Sequence, residues 1–450
     1  MIPNVGELAV LISKFDAAQQ TKNKWKNERY TAIDYYNGDT KEFTEKYFNS
    51  STLSKIVTGN INIAKRVIDR VSLVYMTPPV RAYTREDVTD FFVGKDHKLQ
   101  RLERITNLLD AVLLKPCWRT KEDGTGCIEY DIIWDYEPIF DEDPLNPSAI
   151  VYPITKKATV MDATPEMWAY WDFENHFMFD ETGKQYTQDD NPDMINPNGK
   201  LPFVECHREG KPEFNYLDTN ASRDLIATNL AVNVAETNKN ANVMFQSFGY
   251  LFVNGSGIDK DTMQIGQDKI NYLGVDGSIS IVSPPNAIPA LDESIKSSYK
   301  MLAQNYHLPT GFVEGTTQAE SGVALKMRNI ELTDDRKSDI ARWRDVEFEF
   351  FDLERLIIAV ELGQDAGDLE DVDFSESVEI LNDQEQRNKW DWELSKGIID
   401  LADILMQKNP DLTREEAEEL LAEKKTTFGE PEETEAPENT LLAALAKPVE

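Results

Sequence analysis

From Ser321 to about Val360, apolar side chains recur at helical spacing while the opposite face is mostly charged. Leu332, Trp343, Val346, Phe350, Leu353 and Ile357 mark the stripe. This is the longest helix the sequence predicts, and the other elements must be arranged around it. Just before it, in order, come a helix, a short β-rich insert, a second helix and a loop. Few small folds have room for that order.

Composition bounds the rest. The 450 residues allow two to four domains on a prior of roughly 150 residues each. With 40% hydrophobic residues the chain can bury a sizeable core. Its 81 Asp and Glu outnumber 47 Lys and Arg, for a net charge of −34. That balance argues against coating nucleic acid through a broad basic surface, because such binding needs Lys and Arg to replace counterions. It leaves open a protein that handles DNA without gripping it.

No stretch approaches the roughly 20 apolar residues that span a bilayer. The start, Met1 to Glu7, lacks the basic residues of a signal peptide, and the apolar run Leu8 to Ile12 is too short for one. Cys117, Cys127 and Cys206 have no CxxC spacing, so a reducing compartment without disulfides is expected. Four scattered histidines (His97, His176, His207, His307) disfavour a zinc site.

Along the chain, helix is predicted from Pro3 to Tyr36, broken once, with Lys22, Lys24 and Lys26 read as a solvated face. Further helices are predicted over Ile61–Tyr75 and Leu99–Leu114. A hairpin follows, Cys117–Arg119 and Cys127–Trp134 around the Gly124–Gly126 turn. A β meander continues through 150–154, 158–161, 167–172 and 176–179, and 189–200 is a loop. Asn220–Gln246 reads as a long helix whose many Asn, Ala and Thr suit packing against several neighbours. Strands return at 250–253, 269–273 and 278–282, then a helix over Leu291–Tyr306. The run 361–385 holds ten acidic residues and no Lys or Arg, and is read as a charged linker. Two helices fill Gln384–Lys425, with a capping box at Thr413 and Glu416. The Glu- and Pro-rich end after Gly429 lacks the composition of a packed core.

Chemistry leaves little trace. Gly255-Ser256-Gly257 lacks the rest of a phosphate loop and reads as a turn. The acidic groups 141–143 and 189–191 read as solvated loops, since hard cations need oxygen ligands converging on one point. No serine lies in GxSxG and no Cys/His pair is recognisable.

Organisation says more. The order of elements, with several local motifs, resembles the portal proteins of tailed double-stranded DNA bacteriophages. The matching pieces are NIAKRVID (Asn62–Asp69) followed by YMTPPV (Tyr75–Val80), and LPFV (Leu201–Val204) before the helix holding Asp224 and Leu225. Tyr299–Pro309 fits a helix ending in a hydrophobic-Pro step, and ESGVALKMR (Glu320–Arg328) fits the opening of the next helix. Asn382–Leu421, with Lys396-Gly397-Ile398 and Pro410-Asp411-Leu412, resembles the C-terminal region of the family. The resemblance covers most of residues 55–425, and the chain is short for the family.

The resemblance implies a helix-rich α+β fold in a ring of twelve subunits at one capsid vertex, through which double-stranded DNA is packaged and ejected. By that analogy residues 1–219 and 321–372 form the wing, 220–247 and 290–308 the stem, and 248–289 the clip. Residues 309–320 are then the tunnel loop, 373–428 the crown and 429–450 an acidic tail. It implies no enzyme activity, no cofactor and no metal. The implied partners are the major capsid and scaffolding proteins, the terminase large subunit and a tail adaptor. The implied location is the virion, after assembly in the host cytoplasm.

Physical reasoning gives candidate residues. Twelve chains at −34 carry a formal −408, and an acidic channel repels phosphates so that DNA slides without lodging. Lys296 and Lys300, at i and i+4, would repeat around such a tunnel, unless they pair with Asp292 or Glu293. Thr310, Gly311, Thr316, Thr317 and Gln318 are small or uncharged and suit a loop that shifts along a moving duplex. The resemblance, by placing 248–289 in the clip, implies Asp259, Lys260, Asp261, Gln267, Lys269 and Asp276 as candidates for docking terminase. Two rival readings are another virion component, such as an adaptor or core protein, and a metal-dependent phosphoryl-transfer enzyme using Asp141 and Asp143.

Overall fold

Residues 111–120 are buried almost continuously over their first seven positions, as suits a central strand, and in the computed structural model this strand is paired on both edges. The structure describes residues 3–13, 24–48, 56–121, 124–155, 166–188, 191–210, 213, 215–217, 222–248, 250–254, 278–282, 285–309, 329–374, 383–408 and 412–428. The fold is mixed α+β and divides into two compact units. One comprises Met1–Thr317 with Arg328–Ser377, the other Gln318–Met327 with Val378–Glu450.

In the first unit, α1 (Val5–Ser13), α2 (Lys24–Asn37), α3 (Lys41–Glu45) and α4 (Ile63–Val71) lead through a 3-10 turn at Val74–Met76 to β1 (Val80–Tyr83). After α5 (Lys95–Leu109) come β2 (Ala111–Thr120) and β3 (Gly126–Ile133). The meander is β4 (Glu137–Ile139), β5 (Ala149–Thr155), β6 (Met167–Asp172), β7 (His176–Asp180) and β8 (Gln185–Tyr186), all antiparallel neighbours in that order. β9 (Val204–His207) joins the other edge of β2, giving a sheet of order β3-β2-β9. Val112 and Leu114 face the main core formed with α5, while Leu113 faces Trp25 of α2.

The predicted helix 99–114 is shorter in fact, because Ala111–Leu114 belong to β2. Asp110 takes a left-handed φ of 71°, and its carbonyl and carboxylate both accept the Arg208 amide, at 3.0 Å each. The predicted helix 61–75 also stops early. Ser72 Oγ donates to the Ile68 carbonyl at 2.8 Å, and the following Val74 and Tyr75 amides turn to the buried Glu103 carboxylate at 2.8 and 3.0 Å. Lys26 departs from the expected solvated face. It is 1% exposed and donates to the Tyr136 carbonyl at 3.0 Å, with Asp135 at 3.4 Å. Lys24 is exposed as expected, and Lys22 lies outside the described residues.

Next come α6 (Arg223–Phe248), β10 (Tyr250–Asn254), β11 (Ser278–Val282) and α7 (Ile288–Asn305), then α8 (Ile330–Leu362). β10 and β11 pair antiparallel from Tyr250↔Val282 to Asn254↔Ser278. The predicted strands 158–161 and 269–273, and the start of the long helix at 321–328, lie outside the described residues. Helix α8 buries Trp343, Phe350, Phe351 and Ile358 in the core, with Trp343 edge-on to Tyr75 at 5.3 Å. Truncating such a tryptophan costs about 3–5 kcal/mol. The helix ends at Gly363, whose φ of 64° suits the left-handed residue that closes a helix.

The acidic run after it is not all linker. Leu369–Asp373 forms β12, antiparallel to β1, because Ala366, Leu369, Val372 and Phe374 are buried among the exposed acids. The other unit contains α9 (Asp383–Lys396), α10 (Leu401–Lys408) and α11 (Arg414–Phe428), one helix more than predicted. The capping box holds: the Thr413 amide donates to Glu416 Oε2 at 2.9 Å, and the Glu416 amide donates to Thr413 Oγ1 at 3.4 Å.

Candidate functional site

The elements expected to form the stem and clip pack as an antiparallel helix pair tipped by a β-hairpin. Three contacts fix the pairing of α6 with α7. Tyr306, just past α7, donates its hydroxyl to Asp224 Oδ1 at 2.9 Å near the start of α6. Lys239 lies 3.3 Å from Asp292 and 2.7 Å from Glu236, and these carboxylates raise its pKa against the opposing effect of burial. Toward the hairpin, Asn242 Nδ2 donates to the Pro285 carbonyl at 3.2 Å.

One end of the pair is held in the core by a polar stripe beside the apolar Leu225, Val232 and Leu302. Asn229, Asn233 and Thr237 repeat every four residues on α6 and are fully buried. Asn229 Oδ1 accepts the Ile63 and Ala64 amides at 2.9 and 3.0 Å, and Asn62 Oδ1 accepts the Lys65 amide at 2.9 Å. These are the N-terminal donors of α4 that no carbonyl of its own helix can take. Asn233 accepts the Ile61 amide at 2.7 Å and Thr237 Oγ1 the Gly59 amide at 2.9 Å. A Cβ on Gly59 would meet the Asn233 carbonyl oxygen at 2.7 Å, which is why the close approach needs glycine. The helix packs against α2, α3, α4 and α7, the several neighbours the sequence suggested, and its Asn residues reach them through backbone groups.

Beyond this root the pair is only partly covered, with Ile295 and Tyr299 half-buried against the core. No described side chain of α6 after Thr237, or of α7 before Leu302, is fully buried. Val243 and Met301 are large apolar residues left exposed there. Lys296 and Lys300 both lie exposed on α7, and neither forms an ion pair among the described residues; Asp292 is taken by Lys239 instead. The structure therefore keeps these two candidates together on one helix. Thr310, Gly311, Thr316, Thr317 and Gln318 lie outside the described residues, as do Asp259, Lys260, Asp261, Gln267, Lys269 and Asp276.

The carboxylates of the rival enzymatic reading do local work. Asp143 accepts the Leu145 amide at 2.9 Å and Asn146 Nδ2 at 2.6 Å, bonds that hold its pKa below the ordinary value. Among the described residues no group of three His, Cys, Asp or Glu side chains converges as a metal site. No helix among them is long and apolar enough to cross a membrane. Neither protein-family models nor curated proteins gave a match to this chain.

Sequence reasoning missed a buried ionic cluster that fixes α8. Glu347 and Glu354, both fully buried, meet Arg81 of β1 and Lys95 of α5. Arg81 Nη1 also reaches Asp96 at 2.7 Å, and the Tyr130 hydroxyl donates to Glu354 Oε1 at 2.8 Å. Burial opposes charge on both glutamates. Lys95 and Arg81 outweigh it at Glu347, which is held below its usual pKa, whereas Glu354 stays raised as the surplus acid of the set. The glutamates, spaced at i and i+7, lie within the apolar stripe, four residues after Trp343 and Phe350, and nothing local in the sequence names the cations that let a charge be buried there.

Proposed function

We propose that this chain is the subunit of a portal ring of a tailed double-stranded DNA phage, a channel for genome packaging and ejection and not an enzyme. The observation that carries the reading is the α6–hairpin–α7 unit, anchored in the core at one end and with no fully buried described side chain along the rest, followed by the long helix α8. A two-helix arm cannot cover its own flanks, and lateral packing against identical arms in a closed ring does so without new elements. The motifs of the portal family occur in the same order along the sequence.

In such a ring α6 and α7 are the stem and line the tunnel, with Lys296 and Lys300 as repeated cations on helices whose own acidic and basic residues balance. The hairpin β10–β11 belongs to the clip that receives terminase and later a tail adaptor, and the three helices α9–α11 belong to the crown. Capsid and scaffolding proteins are the partners of the wing. The net charge of −34 per chain disfavours a lodged duplex and favours a sliding one.

The mass of the purified full-length protein by light scattering, with negative-stain images of the same peak, tests this. A ring with a central hole and a mass of about 616 kDa, twelve chains of 51.3 kDa, is expected. A compact monomer at every concentration, alone or with scaffolding protein, overturns it.

A further inference from the structure

The first unit holds a cleft of about 1530 Å³ between the β2–β3 hairpin, the meander and α5. Pockets for small ligands run to roughly 300–1,000 Å³, so this space is the size of a polypeptide segment. Its charge is opposite to that of the chain. Lys65, Lys98, Arg101, Arg104, Lys115 and Arg119 line it against Asp131, Asp135 and Glu361. Of these groups, Asp135 is already bound by Lys26 and by the Tyr30 hydroxyl, while Arg104 is paired with Asp69 at 3.6 Å and Arg119 with Glu129 at 3.8 Å. That leaves Lys65, Lys98, Arg101 and Lys115 as the cations without an ion pair among the described residues. A concave, cation-rich surface on a protein of net charge −34 focuses an attractive field on anions.

Lys115 lies at its floor. Strand β2 places Leu113 in the core and, on the same face two residues on, Lys115 in the cleft. The register sets Lys115 opposite Asp131, yet no carboxylate comes within 4.0 Å of its ammonium among the described residues. The Cys117 thiol intervenes, 3.4 Å from Lys115 Nζ and 3.3 Å from Asp131 Oδ2. Around it also lie the Tyr152 hydroxyl, which hydrogen-bonds the ammonium, the Trp171 ring, 4.7 Å from Nζ, and His176 stacked on that ring at 3.5 Å. Burial and the Lys115 charge keep His176 neutral, with its pKa depressed to about 3. Burial likewise raises the Cys117 thiol, so the nearest negative charge is that of Asp131, which the thiol holds out of contact with the ammonium. Nearer the rim, Lys98 and Arg101 form no ion pair among the described residues.

We propose that this cleft docks an acidic peptide segment of a partner protein, with one carboxylate seated against Lys115 and others along Lys98 and Arg101. The size of the cleft, its inverted charge and an ammonium that no described carboxylate contacts select that occupant. His176 already covers a face of Trp171, which argues against a nucleotide held by stacking. The inference does not depend on the portal reading.

The test is titration of the full-length protein, by calorimetry in about 50 mM salt where charge contacts are weakly screened, with acetyl-Glu-Glu-Leu-Glu-Glu-Tyr-amide. The same peptide with Gln in place of Glu, adenosine monophosphate and inorganic phosphate are the controls. Binding of the Glu peptide is expected, at least tenfold weaker in Lys115→Met and in Arg101→Glu and unchanged in Lys296→Ala. Arg101 is exposed, so its variant decides the matter if Lys115→Met fails to fold. Equal affinity for the Gln peptide, preference for the nucleotide or phosphate, or full affinity in Arg101→Glu overturns the proposal.

Discussion

Arg81 grips Glu347 with two parallel hydrogen bonds, Nε to Oε2 at 2.9 Å and Nη2 to Oε1 at 2.7 Å. Such a bidentate pair fixes orientation as well as distance. It ties β1 to the middle of α8, and through β1 it positions β12. Removing one member of a buried pair leaves the other charge without compensation, at a cost of about 3–5 kcal/mol. Glu347→Gln is expected to lower stability by that amount in urea unfolding at pH 7. Replacing Glu347 and Arg81 together by Leu and Met should recover most of the loss, since no stranded charge remains at that pair.

Asn229 supports a second prediction, about the root of the helix pair. Asn229→Ala leaves the Ile63 and Ala64 amides without their acceptor, and a buried donor left unpaired costs roughly 1–3 kcal/mol. Stability should fall by about 2 kcal/mol. Hydrogen exchange at these two amides should accelerate more than at the amides of α8. A uniform change across the molecule would mean that the ladder has no local role.

These two clusters also mark where the sequence was legible. The β2–β3 hairpin, the meander, α6, α7 and the capping box of α11 follow from local rules, namely alternation, turn glycines and i,i+3 caps. Helix ends failed where distant side chains took over the backbone. Glu103 captures the amides of Val74 and Tyr75, and Asp110 receives Arg208. Charge misled twice for the same reason. Lys26 and Glu347 look like surface residues in the sequence, because their counter-charges lie 109 residues away at Asp135 and 266 residues away at Arg81. β12 was hidden in an acidic run, since its two inward residues are outnumbered by acids that face solvent. Of the candidate site, only Lys296 and Lys300 lie among the described residues; the loop and clip candidates do not.

Lys296 and Lys300 lead to a third prediction, which rests on the portal reading. Both ammonium groups are exposed on α7 and uncommitted to any ion pair among the described residues. In an acidic ring they would supply the weak, salt-sensitive contact with passing phosphates. Lys296→Glu with Lys300→Glu should leave the mass of the ring unchanged, because the substitutions lie on an exposed face. Residual affinity for duplex DNA in about 50 mM salt should fall at least tenfold, with a shallower dependence on salt. Unchanged duplex binding by an intact ring would remove both lysines from the tunnel wall.

Glu103 gives the molecule a pH dependence of known sign. Its carboxylate is fully buried, and burial pushes its pKa up to about 7 against the Val74 and Tyr75 amides that pull it down. The folded state therefore binds this proton more tightly than the unfolded chain, whose glutamate titrates near 4.5. Proton binding favours folding, so the contribution of Glu103 to stability falls as pH rises from 4.5 to about 7 and is flat on either side. The full amplitude is about 3 kcal/mol. The chain has many other acids, so the comparison that isolates this one is wild type against Glu103→Gln, which cannot titrate. The stability of wild type relative to the variant should decline by up to that amount between pH 4.5 and 7, measured by urea unfolding at half-unit steps. A difference that stays constant across this window would mean that the two backbone amides outweigh burial and that Glu103 is ionised throughout.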